Sequence, residues 1–186
     1  MCGFAGYAGE REYDTSVIRK MTDKIRHRGP DSQDAFVEGK VGLGFVRLSI
    51  IDLEGGSQPM FNEDKNLVLI FNGELYNFQD IRKELVEAGH VFTTHTDSEI
   101  LLHGYEEWGK EGLLGRLRGM FAFVIFDRTK KTLFGARDHF GIKPFYYYHK
   151  DGTFLFGSEI KSFLAHPDFQ KELFEEKLPD FMTFGC

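Results

Sequence analysis

MCGFAGYAG, residues 1–9, is the stretch from which the rest of the chain is read. From Gly3 to Gly9 small and aromatic residues interleave between bounding glycines, the pattern of a buried strand that other backbones approach closely. Cys2 stands directly before it. With Met1 removed, Cys2 would carry a thiol and a free α-amine on one residue, a nucleophile and a base together. By itself the dipeptide is equally a small buried thiol at the head of a first strand, so the decision falls to the residues that accompany it.

At 186 residues the chain suits one domain with a two- or three-layer core. Twenty phenylalanines and seven tyrosines against one tryptophan predict a folded, aromatic interior and exclude a disordered tail. The net charge of −6 carries no block of like charges, which leaves no electrostatic footprint for nucleic acid or an acidic membrane. A small-molecule or protein partner fits better. No apolar run reaches signal-peptide length near the start or the roughly 20 residues of a membrane helix, so a cytoplasmic protein is expected. The two cysteines, Cys2 and Cys186, exclude a disulfide framework. The clearest histidine pairing, Glu99 with His103 at i, i+4, falls short of the three protein ligands zinc needs and reads as a solvated helix face, so no metal is expected.

Along the chain, Asp14 or Thr15 caps a helix with Val17, Ile18, Met21 and Ile25 on one stripe, closed by Gly29-Pro30. Val41 to Ile51 is an apolar run with Arg47 inside it. Such an arginine either snorkels out or is held for a charged partner, and the run alone favours snorkelling. DLEGGSQP at 52–59 has the composition of a lid loop. Leu67 to Phe71 reads as a buried strand stopping at an Asn72-Gly73 turn, from which the chain enters a helix with Ile81, Leu85 and Val86 apolar and Gly89 as its stop. A strand-to-helix corner there would offer a backbone N–H and an amide to an anion. Asp97 sits where an N-cap belongs, ahead of Ile100, Leu101, Tyr105 and Trp108, with a carboxylate facing a ligand's ammonium as the alternative. From Met120 four strand candidates, MFAFVIFD, TLFGARD, FYYYH and TFLFGSE, suggest an antiparallel meander. Arg137-Asp138 between them reads as a structural ion pair. After a short helix to about Ala165, residues 166–186 read as a linker or the start of another domain.

Cys2-Gly3, RHRGPD at 26–31, RLSIID at 47–52, FNGELYN at 71–77, TDSE at 96–99, GMFAF at 119–123 and RDHFGIKP at 137–144 resemble, in the same order, the class II glutamine amidotransferase domain of glutamine-hydrolysing asparagine synthetases. The resemblance implies an α+β fold, the four-layer α-β-β-α sandwich of two antiparallel sheets found in N-terminal-nucleophile hydrolases, over residues 2–165. It implies Cys2 as nucleophile and Asn72 with Gly73 as the oxyanion hole. It further implies that Arg47 holds the α-carboxylate of L-glutamine, that Glu74 and Asp97 receive the α-ammonium, and that main-chain groups of Leu48, Ser49, Ile50 and Ile51 complete the pocket. DLEGGSQP becomes part of a flap over the substrate. The glutaminase half needs no cofactor. ATP and Mg2+ belong to a synthetase domain, absent from this chain, that makes asparagine from aspartate, and family members often dimerise through the glutaminase half. Synthetase-like enzymes serving other acceptors share these blocks.

Two other classes remain to be weighed. A regulatory module that senses glutamine would not need the nucleophile. An amide hydrolase of the same fold acting on another substrate would not need Arg47 and Asp97, which suit the two ends of a free amino acid.

Overall fold

In the computed structural model, residues 2–48, 56–173 and 175–185 are described. β1 (Gly3–Ala8), β2 (Ser32–Glu38), β3 (Val41–Arg47), β8 (Tyr146–Lys150) and β9 (Thr153–Gly157) form one antiparallel sheet in the order β2-β3-β1-β9-β8. β4 (Met60–Phe61), β5 (Leu67–Leu75), β6 (Gly119–Asp127) and β7 (Thr132–Arg137) form the second, in the order β4-β5-β6-β7, also antiparallel. The helices are α1 (Thr15–Asp23), α2 (Phe78–Glu87), α3 (Glu99–Arg116, kinked at Gly109) and the exposed α4 (Leu178–Phe184).

Alternation along the strands builds three apolar layers. Phe4, Leu43, Phe45 and Phe156 of the first sheet meet Val68, Ile70, Ala122, Val124 and Phe126 of the second. The opposite faces pack outward. Ala5, Tyr7, Val46 and Leu155 lie against Ile18, Met21 and Ile25 of the α1 segment, and Leu69, Phe71, Phe123 and Ile125 lie against Ile81, Leu85, Ile100 and Leu101 of α2 and α3. This is the expected α-β-β-α sandwich. Asp14 caps α1 as expected, accepting from Ser16 N at 2.7 Å. The helix ends at Asp23, earlier than Gly29-Pro30, and a separate 3-10 turn over Arg26–Arg28 leads into that pair.

Several sequence expectations are corrected. Asn72-Gly73 is not a turn: β5 continues to Leu75, with Asn72 opposite Ala122 and Gly73 opposite Phe121. Pairing along the whole of β6 overrides a local turn preference. The four strands after Met120 are not one meander, because the β6-β7 hairpin lies in the second sheet and β8-β9 in the first. The chain changes sheets through residues 138–145, and Asp138 organises that crossing. Its carboxylate accepts backbone N–H bonds from Phe140 (3.1 Å), Ile142 (2.9 Å), Phe121 (3.2 Å) and Lys143 (3.0 Å), while Arg137 donates to the carbonyls of Lys143 and Gly141. The pair is structural, but each member binds backbone and no Arg137–Asp138 ion pair is formed among these contacts. Strand β2 had no sequence expectation, and its mostly half-buried, partly polar residues explain why. Val86, expected on the apolar face of α2, is exposed. Glu99 and His103 are buried, 5% and 1% exposed, where a solvated face was expected.

Burial alone would raise the Asp138 carboxyl, but the four N–H donors outweigh it and hold it below the usual range. Asp138→Ala is therefore expected to cost about 3 kcal/mol at neutral pH, since the buried N–H groups of Phe121 and Lys143 and the partly buried ones of Phe140 and Ile142 lose their acceptor. A depressed carboxyl contributes stability above its unfolded value of about 3.9 and loses it as pH falls through the lower folded value. Urea unfolding of both proteins should show the gap narrowing with acid below about pH 4; a gap independent of pH would contradict the assignment.

Candidate active site

β1 is the central strand of its sheet, so Cys2 is placed by ladders on both sides. Gly3 pairs with Val46, and beyond β9 the backbones of Phe4 and Ser158 remain joined through Ser158 N to Phe4 O at 2.9 Å and Phe4 N to Ser158 Oγ at 3.1 Å. Cys2 shares the parity of Phe4 and packs, partly buried, against the layer between the sheets. Leu48 N donates to Cys2 Sγ at 3.4 Å, and the thiol donates to Leu48 O at 3.5 Å. Leu48's main chain, expected to line the substrate pocket, is thus at the Cys2 thiol. Arg28 Nε donates to Cys2 O at 3.0 Å while Arg28 Nη1 bonds Glu159 Oε1 at 3.1 Å. A Cβ on Gly3 would lie 2.8 Å from Arg28 Cδ, so glycine after Cys2 leaves room for the Arg28 side chain.

The RHRGPD segment is seated by close backbone contact. A Cβ on Gly29 would lie 2.3 Å from Val46 C, Pro30 bridges Arg47, and Asp31 N donates to Arg47 O at 3.0 Å. These contacts fix the end of β3, where Arg47 shares the parity of Leu43 and Phe45 and so belongs to the inter-sheet face. Arg47 is buried, not snorkelled as its apolar run suggested. Gly56 lies over it, and a Cβ there would come within 2.7 Å of Arg47 Nη2 and 3.6 Å of Thr96 Cγ2.

Asn72 has the parity of Val68 and Ile70, so its amide faces the inter-sheet layer against which Cys2 packs. It is 2% exposed, and its Nδ2 makes no hydrogen bond among the described residues. A buried amide donor left without an acceptor costs about 1 to 3 kcal/mol, and such a group calls for an explanation. Upstream, Gln58 clamps Phe71 from both sides, Oε1 accepting from Phe71 N at 2.5 Å and Nε2 donating to Phe71 O at 3.1 Å. Gly73 follows within β5, and Glu74 is exposed.

Asp97 is not the helix cap. Ser98 occupies that position, and Asp97 Oδ2 accepts from Leu75 N at 2.8 Å, tying the approach to α3 onto the end of β5. Burial raises the Asp97 carboxyl and the negative charge of Glu74 adds to the rise, against backbone N–H donors that lower it. A raised Asp97 carboxyl with the Glu74 charge acting on it suits a cation nearby. The Arg47 guanidinium and the Thr96 methyl both lie beside Gly56, and with Asp97 next in sequence a cationic and an anionic group come to one neighbourhood.

Ser49, Ile50 and Ile51, and residues 52–55 of the expected flap, lie outside the described residues. The sequence reading missed Arg28, Glu159 and Gln58. Arg28 lies within a quoted block, but its hold on the Cys2 carbonyl depends on a fold that no spacing reveals.

A family model described as a glutamine amidotransferase domain matches residues 1–186. The chain belongs to the glutamine amidotransferase domain family. The amidotransferase domain is 42% identical over 190 residues to asparagine synthetase (glutamine-hydrolyzing) 3 of Bacillus subtilis (strain 168), covering 100% of this chain and 31% of the relative. It is 44% identical over 189 residues to asparagine synthetase (glutamine-hydrolyzing) 1 of the same organism, covering 99% of this chain and 30% of the relative. The chain thus spans about a third of the length of these curated relatives. In fold the amidotransferase domain resembles the glutamine phosphoribosylpyrophosphate amidotransferase of B. subtilis, with TM-score 0.72 and 23% identity over 88% of this chain and 43% of that one. A structure titled as the allosteric regulatory enzyme of purine biosynthesis gives TM-score 0.74 at 24% identity over the same shares. Among the described residues no helix is long and apolar enough to cross a membrane.

Because Asn72 Nδ2 makes no hydrogen bond among the described residues, Asn72→Ala is expected to cost less stability than Gln58→Ala, which loses both bonds to Phe71. Thermal denaturation of the two variants checks this; a larger loss for Asn72→Ala would make that amide structural.

Proposed function

We propose that this domain hydrolyses L-glutamine to glutamate and ammonia through a γ-glutamyl thioester on Cys2. The observation that carries the proposal is the buried Asn72 amide without an acceptor, facing the layer against which the Cys2 thiol packs.

Removal of Met1 frees the α-amine of Cys2, which titrates near pH 7.7 to 8.0 in unperturbed chains and is partly neutral in the cell. That amine takes the thiol proton. Sγ then attacks the side-chain amide carbon of glutamine, and the carbonyl oxygen, now an oxyanion, accepts from Asn72 Nδ2 and Gly73 N–H. The C–N bond breaks as the α-ammonium returns the proton to the departing nitrogen, and ammonia leaves. Water, deprotonated by the same amine, attacks the thioester and releases glutamate and the thiol. Arg47 binds the substrate α-carboxylate, Glu74 and Asp97 its α-ammonium, and the main chain of Leu48, Ser49, Ile50 and Ile51 completes the pocket. The segment around Gly56 and Gln58 closes over it, limiting water until ammonia has departed.

The relatives' names extend the proposal to the ammonia acceptor. We propose that residues 2–165 form the amidotransferase unit, that 166–186 connect it to a synthetase domain, and that this partner uses ATP and Mg2+ to convert aspartate to asparagine with the ammonia. The glutaminase step draws on no cofactor. A homodimer through this half and a cytoplasmic location complete the proposal.

Glutamate release, measured together with intact mass to establish Met1 removal, tests these roles. Cys2→Ala is expected to abolish release. Asn72→Ala should lower kcat by about 100- to 1,000-fold with little change in KM, as for loss of one oxyanion donor. Arg47→Ala should mainly raise KM. Undiminished release by Cys2→Ala removes the nucleophile assignment, and glutamine binding without release by processed wild type favours a sensing module.

A further inference from the structure

Outside the Cys2 site, the helical layer over the second sheet gathers two histidines and a carboxylate that the amidotransferase chemistry does not use. His90 leaves α2 through a tight stop: Gly89, at φ +102, donates to Val86 O at 3.0 Å, and His90 N returns to Leu85 O at 2.9 Å. His103 and Glu106 are three residues apart on α3 and share a face. The sequence paired His103 with Glu99; the structure joins His103 to Glu106 on the same helix and to His90 from the end of α2.

The donor atoms converge. His90 Nδ1 lies 3.2 Å from His103 Nδ1, His103 Nδ1 lies 3.3 Å from Glu106 Oε2, and His90 Nδ1 lies 3.9 Å from that oxygen. Donors bound tetrahedrally to zinc at 2.0 to 2.2 Å stand about 3.4 Å apart, so two of the three separations already match and the third needs a small side-chain rotation. We infer that His90 Nδ1, His103 Nδ1 and a Glu106 carboxylate oxygen form a binding site for a divalent ion of the zinc class, with the remaining coordination position open to solvent.

The surroundings have the arrangement that metal-bound histidines and carboxylates require. The other ring nitrogen of His90, Nε2, lies 3.2 Å from Glu107 Oε2. That of His103 is buried without an aligned hydrogen bond, 3.5 Å from Glu99 Oε1 and 3.6 Å from Glu63 Oε1. Glu106 Oε1 accepts from Asn62 Nδ2 at 2.7 Å, which orients the carboxylate. His103 is buried, His90 half-buried and Glu106 exposed, so an ion can enter from solvent. Imidazole donors select zinc and its transition-metal neighbours over magnesium or calcium, which prefer all-oxygen shells. A proton competes for the same position: burial lowers the His103 imidazolium, but Glu106 and Glu99 push it up to about 9. Bound metal would clamp the end of α2 to α3, the helix that Asp97 precedes.

Zinc titration by calorimetry, with the chain carrying Cys2→Ala and Cys186→Ala so that no thiolate competes, tests the site. One equivalent is expected to bind, and nitrogen-15 shifts of the zinc-loaded protein should report Nδ1 metallated and Nε2 protonated in both His90 and His103. His90→Ala should weaken zinc more than a hundredfold, and Glu107→Gln about tenfold to a hundredfold. No zinc-dependent change at the two histidines, or undiminished affinity in a folded His90→Ala protein, overturns the inference. The nitrogen-15 measurement needs no change within the cluster, so it decides the matter even if His90→Ala does not fold.

Discussion

The ladder that holds β1 between β3 and β9 is the constraint on which the rest of the site depends. A chain terminus ordinarily frays, because its backbone has few partners and much entropy to lose. Here the first strand is the middle strand of five, paired along most of its length with β3 and continued on the other side by β9 and Ser158. Cys2 is therefore held at the edge of an aromatic core, with its carbonyl bound by Arg28 and its thiol beside the Leu48 main chain. Glycines at 3, 29 and 56 let Arg28, the Val46–Arg47 backbone and the Arg47 guanidinium come as close as they do.

Positioning by the ladder also accounts for an economical chemistry. In the proposed reaction no separate histidine base is needed, because nucleophile and base belong to one residue whose backbone is already fixed. The opposite wall is arranged at a cost to stability. Asn72 buries an amide donor that has no acceptor among the described residues, whereas Gln58, fourteen residues earlier, satisfies both backbone hydrogen-bonding groups of Phe71 with its own amide. One amide beside β5 thus stabilises the fold and another within it finds no partner among the described residues, which is the pattern expected where binding or transition-state stabilisation supplies the missing partner.

Local pattern carried much of the fold. The GFAGYAG strand, the Asp14 cap and the hydrophobic strands after Met120 were legible because burial imposes its period directly on the sequence. Long-range pairing was not legible. Asn72-Gly73 has the composition of a turn, yet nine consecutive partners on β6 keep it extended. The crossing at 138–145 sends β8 and β9 to the other sheet, which no alternation of residues on those strands encodes. Of the candidate site, Cys2, Asn72, Asp97 and Arg47 could be named only through the ordered blocks of the family resemblance; read locally, Asn72-Gly73 is a turn, Asp97 a cap and Arg47 a snorkelling side chain, which becomes a buried one only when its face of β3 meets the second sheet. Arg28 and the His90–His103–Glu106 cluster depend on contacts between separate elements, so their sequence spacing is silent about them.

The central claim is that processed Cys2, with its own amine as base, forms the covalent intermediate. Acid-quenched intact and peptide-level mass spectrometry after brief exposure to glutamine tests it most directly. The account predicts a γ-glutamyl adduct confined to chains lacking Met1 and located on Cys2. An adduct on another residue, or equal labelling of chains that retain Met1, would contradict it.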